Sequence, residues 1–116
     1  MPNDRLARMP FAQVYPLYVR KAGRKGRTAA EVDAVIRWLT GYDARGLRRQ
    51  IARQADLATF FAEAPRPHPN AALVTGTICG HRIETIEDPF LRQVRRLDKL
   101  VDELAQGRPL EKVLRK

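Results

Sequence analysis

Three observations predict a mainly α-helical domain with a small β component. Apolar residues recur three and four positions apart through most of the chain. Threonine or aspartate stands just before several of these stretches, and glycine follows. Only residues 73–86 are rich in β-branched side chains, split by Cys79-Gly80. The expectation is an α+β bundle of about five or six helices with one short β-hairpin near residues 73–86.

The elements follow in order. Residues 1–10, with Pro2 and Pro10 and little apolar content, read as a flexible N-terminus, and residues 11–116 as a single compact domain. Phe11, Val14, Tyr15 and Tyr18 follow helical spacing, extended by Val19 and Ala22. Pro16 lacks an amide hydrogen and disfavours helix at Tyr15, so a break or a start is expected there. Thr28-Ala29-Ala30-Glu31 is a capping box: the threonine oxygen takes an early amide and the glutamate reaches back. Val32, Val35, Ile36 and Leu39 form the stripe behind it, with Asp33 and Arg37 spaced to pair on the outer face. Gly41 is placed to terminate that helix.

Asp43 caps a third helix carrying Leu47 and Ile51. Asp56 caps a short fourth with Leu57, Phe60 and Phe61 inside. The proline-rich run from Pro65 to Pro69 ends it. Asp88-Pro89 opens the clearest helix, with Phe90, Val94, Leu97, Val101 and Leu104 on its apolar face and Gly107 closing it. Pro109 opens a last short helix with Leu110, Val113 and Leu114 inward.

At 116 residues the chain can bury one real core. A hydrophobic fraction of 44% against 30% charged residues argues against wholesale disorder. A single cysteine cannot form an internal bridge, no apolar run approaches a membrane span, and Met1–Pro10 lacks a secretory pattern; the reading is cytoplasmic. The unusual bulk property is a formal net charge of +9. Residues 1–58 hold 12 basic and 5 acidic side chains, residues 59–116 hold 10 and 8, so the excess sits in the first half. Such a field concentrates anions.

Several separated motifs resemble one family. Val14-Tyr15-Pro16-Leu17-Tyr18-Val19, Lys25-Gly26-Arg27-Thr28 and Trp38-Leu39-Thr40-Gly41-Tyr42 resemble the first half of bacterial "domain of unknown function 2200" proteins. Ile78-Cys79-Gly80, Ile86-Glu87-Asp88-Pro89 and the stretch Leu97 to Leu104 resemble its second half. The resemblance runs from about residue 9 to the C-terminus and implies a bacterial protein. It brings no activity, substrate or cofactor.

Four constellations carry chemistry. Arg20, Lys21, Arg24, Lys25 and Arg27 form an acid-free loop whose glycines let backbone approach a phosphate, running into the helix start at Thr28. Arg45, Arg48, Arg49 and Arg53 share one helical face and suit phosphate contact better than base readout. These nine residues are the polyanion-binding candidates. Arg92, Arg95, Arg96 and Lys99 crowd the first half of the Asp88 helix, with Asp98, Asp102 and Glu103 in the second, against the macrodipole. They are partner-contact candidates, answered either by a second chain or by acids of this one. Cys79, His81 and Glu84 are weak pocket candidates: a nearby cation activates a thiolate, but the turn at Gly80 separates the first two. One cysteine and the distant His68 and His81 make no metal ligand set, and no cofactor is implied.

The aromatic residues Tyr15, Tyr18, Trp38, Tyr42, Phe60 and Phe61 read first as core. Their interleaving with Arg20, Lys21, Arg37 and Arg45 also keeps a single-stranded nucleic-acid platform open. Three functions therefore compete. A non-enzymatic binding module for nucleic acid or another polyanion leads. A protein-interaction domain or homodimer using the Asp88 helix follows, and a small enzyme centred on Cys79 and His81 is third.

Overall fold

A computed structural model describes residues 4–116. The described residues form seven α-helices: α1 (Asp4–Ala7), α2 (Phe11–Gly23), α3 (Ala29–Thr40), α4 (Ala44–Ala52), α5 (Leu57–Ala62), α6 (Pro89–Ala105) and α7 (Leu110–Val113). Two short strands, β1 (Thr77–Ile78) and β2 (His81–Arg82), and two 3-10 helices, Pro69–Leu73 and Ile83–Thr85, fill the span between α5 and α6. The mainly α architecture with one hairpin is the one the periodicity predicts.

The caps explain most of the boundaries. Thr28 and Glu31 form the expected capping box, and Gly41 ends α3 at φ 84. Asp43, Asp56 and Asp88 each accept an early amide of the helix that follows.

α6 is the axis of the molecule. It packs against α2, α3, α5, α7, β1 and the Ile83–Thr85 turn. No residue from Phe90 to Ala105 is exposed. Val94, Leu97, Leu100, Val101 and Leu104 are buried along it. Burying each such side chain stabilises the fold by roughly 1.5–3 kcal/mol.

α2 departs from the sequence expectation. It starts at Phe11 and runs unbroken through Pro16. Tertiary contacts hold its first turn. The Phe11 amide donates to Ala55 O at 2.8 Å, the Leu57 amide donates to Met9 O at 2.9 Å, and the Phe11 ring stacks on Phe60 at 3.9 Å. Pro16 forfeits one helical hydrogen bond on an exposed face, a loss these contacts outweigh. Residues 1–3 of the expected flexible N-terminus lie outside the described residues. Residues 4–10 form α1 and the clamp just described, with Leu6 and Met9 packed on the core.

The hairpin is shorter than the β-branched run suggests. Ile78 pairs with His81 and Thr77 with Arg82 across a two-residue turn. Cys79 and Gly80 both take positive φ, 52° and 78°, as a type I′ turn requires. Val74 and Ile83 are buried without extending the ladder.

Candidate functional site

The end of α3 builds a cleft. Gly41 leaves room for the proline-rich segment to cross it: a Cβ at position 41 would lie 2.6 Å from Arg66 N. The Arg66 amide donates to Thr40 O at 3.0 Å and the His68 amide to Leu39 O at 3.2 Å, satisfying carbonyls of the last helical turn. His68 Nδ1 in turn accepts from the Asn70 amide at 2.9 Å and caps the following 3-10 helix. That bond leaves the proton of a neutral imidazole on Nε2. The ring stacks on Trp38 at a centroid distance of 4.3 Å.

The result is a cleft of about 460 Å³ lined by Arg37, Trp38, Gly41, Arg66, His68 and Pro69, with no acidic side chain among them. Arg37 and Arg66 are exposed.

A second cleft, about 220 Å³, shares Arg37 and adds Arg48 of α4 beside Tyr15, Asp33, Leu47 and Ile51. Here the expected Asp33–Arg37 pair does not form. The Tyr15 hydroxyl donates to Asp33 Oδ1 at 2.6 Å instead. Burial, the hydrogen bond to Asp33 and its charge push the Tyr15 phenol up to about 12, so it stays a donor. Asp33 thereby turns to α2, and Arg37 keeps no ion pair among the described residues. The clefts join three arginines from α3, α4 and the proline segment.

The basic loop fares differently. Arg27 grips Glu31 at 2.6 Å and donates from Nη1 to the carbonyls of Leu104 and Arg108 at the end of α6. Arg27 is thus a brace between the α2–α3 turn and α6. Glu31 already answers the Thr28 amide, at 3.0 Å, where a phosphate would sit. The Arg27 guanidinium and the Thr28 amide hold the Glu31 carboxyl down to about 2, so negative charge is built in at that helix start. Lys21 pairs with Asp102 at 3.1 Å and Arg53 with Glu63 at 3.0 Å. Arg20, Arg24, Lys25, Arg45, Arg48 and Arg49 are exposed and carry no ion pair among the described residues.

Within α6 the acids are all answered by this chain. Asp98 accepts from the Tyr18 hydroxyl and pairs with Arg95 at 3.0 Å. Glu103 takes a bidentate grip from Arg115 and a longer contact from Arg108. Lys99 donates to Thr77 O at 3.1 Å. Arg92 and Arg96 alone among the four predicted contact residues keep no such partner: Arg96 donates only to Gln93, and neither forms an ion pair among the described residues.

Cys79, His81 and Glu84 are not brought into a pocket. Cys79 is exposed at the turn, and Glu84 is spent on the Gly76 amide at 3.0 Å and on Arg82. Those contacts hold its carboxyl below the ordinary range. No group of three His, Cys, Asp or Glu suited to a metal occurs among the described residues. No helix among them is long and apolar enough to cross a membrane.

Sequence reasoning missed Arg66 and His68 as cleft residues: it read both as part of a helix-breaking run and weighed His68 otherwise only as a metal ligand. The available signal was Gly41, a helix end able to accept a close backbone, followed by alternating prolines too stiff to loop away.

Comparison with known proteins agrees with this architecture and adds no activity. Over 95% of its length the chain is 44% identical to, and superposes with a TM-score of 0.90 on, 90% of the crystal structure of uncharacterized protein SP1917. No curated protein matches the chain. Residues 5–115 match the family described as "Uncharacterized protein conserved in bacteria (DUF2200)", and the chain belongs to that family.

Proposed function

We propose that this protein is a non-enzymatic binding module for a polyanion, and that single-stranded nucleic acid is the polyanion its clefts fit best. One observation carries the reading. The cleft at the end of α3 sets two exposed arginines, Arg37 and Arg66, around a stacked Trp38–His68 pair with no acid in its lining. Guanidinium groups attract phosphate, and flat rings offer stacking to any base, whatever its sequence. Arg37 also lines the neighbouring cleft with Arg48, so the basic track continues onto α4.

The arrangement favours backbone contact and stacking over sequence readout. The lining offers no asparagine or glutamine for base edges.

Trp38 is the sole tryptophan, so its emission reports on the cleft alone. Titration with a short single-stranded oligonucleotide at low salt should quench that emission, and Arg37→Gln with Arg66→Gln should remove the response. Binding seen by another method with unchanged Trp38 emission would move the site elsewhere. Absence of binding at low salt would end the reading.

A further inference from the structure

We propose that Arg92 and Arg96 of α6 form a phosphate-binding site, separate from the clefts around Arg37. The two side chains stand four residues apart on the central helix, on nearly the same face. Both are half-buried. Their Nε atoms are sealed from water and make no hydrogen bond among the described residues. A guanidinium stripped of part of its hydration gains more from a counterion than a solvated one does.

Among the described residues neither forms an ion pair. Asp98, Asp102 and Glu103 of the same helix are held by Tyr18 and Arg95, by Lys21, and by Arg108 and Arg115. Arg95 shares the unbonded Nε, yet Asp98 neutralises it at 3.0 Å. Glu84, on the 3-10 turn packed against α6, is taken by Gly76 and Arg82. Arg92 and Arg96 instead face each other's charge, and burial together with Arg92 lowers the Arg96 pKa.

Arg92 closes the first turn of α6, where the helix's positive end adds to the potential, and Arg96 stands one turn further on. A tetrahedral oxyanion accepting from Nη atoms of both would neutralise the pair. This site differs in kind from the six exposed arginines and lysines of the loop and α4, which water already solvates.

The test is thermal melting of the full chain with inorganic phosphate titrated against potassium chloride at matched ionic strength. Wild type should show a saturable rise in Tm that chloride does not reproduce. Arg92→Gln and Arg96→Gln should each weaken phosphate about tenfold, and Arg96→Gln should melt no lower than wild type in phosphate-free buffer, since it removes a repelled charge. Arg37→Gln with Arg66→Gln should leave the phosphate response intact, which separates this site from the cleft reading. A parallel titration with a nucleoside monophosphate distinguishes the source: tighter saturation than phosphate assigns a nucleotide, equal saturation a free phosphate. A phosphate response equal to that of chloride, or unchanged in both α6 variants, overturns the proposal.

Discussion

Gly41 does two jobs that no other residue type can do at once. Its φ of 84 turns the chain out of α3, and its missing Cβ admits the Arg66 backbone. Gly41→Ala should therefore lower the unfolding free energy by about 2–3 kcal/mol, measured by urea denaturation, where a loss below about 0.5 kcal/mol would show that the segment simply shifts aside. The residues legible in the sequence were those whose role is local. Thr28, Asp43, Asp56 and Asp88 cap helices through neighbours two or three positions away, so spacing alone identifies them. His68 and Arg66 were illegible as site residues because their partners, Trp38 and Leu39 for one and Thr40 for the other, lie some thirty positions back or nearly so. The Asp33 carboxylate illustrates the same limit. Its helical neighbour Arg37 was the local choice, and Tyr15 on another helix won.

At the scale of elements, tertiary packing overrode local propensity twice. α2 continues through Pro16 because Phe11 is anchored on Phe60 and on the backbone before α5. The hairpin contracts to two residues a side because Val74 and Ile83 serve the core better than the ladder. The joint between the α2–α3 turn and the end of α6 rests on Arg27 and Glu31, and it is sensitive to acid. Glu31 is held down to about 2 from its ordinary 4.5. A carboxyl depressed by folding contributes stability that is complete above its unfolded pKa and lost as pH falls toward the folded one. The wild type should accordingly lose urea resistance between about pH 5 and pH 2 more steeply than Glu31→Gln. Parallel acid limbs for the two proteins would place the depressed carboxyl elsewhere. The charge reversal along α6, legible in the sequence as unusual, resolves in two ways: its acids serve internal contacts, while Arg92 and Arg96 are left over.

Across the whole molecule, the excess of 22 basic over 13 acidic side chains is unevenly spent. Acids are drawn inward to hold helices together, at Asp98, Asp102 and Glu103 around α6 and at Glu31 beside the loop. Arginines that form no ion pair among the described residues gather in the clefts of α3 and α4. The dimensions, 34 × 32 × 25 Å with a radius of gyration of 13.1 Å, match the roughly 13 Å expected of a compact chain this long, so these faces belong to one body. Composition showed the charge and its bias to the first half. It could not show which arginines the fold would consume, and the loop it favoured, Arg20 to Arg27, proved partly structural.

The most direct test of the polyanion reading is the salt dependence of binding to a labelled single-stranded oligonucleotide, followed by fluorescence anisotropy. Neutralising three phosphates with Arg37, Arg48 and Arg66 predicts a log–log slope of about −2, falling to about −0.7 in the Arg37→Gln, Arg66→Gln variant. A slope near zero for the wild type, or the same slope in both proteins, would contradict it.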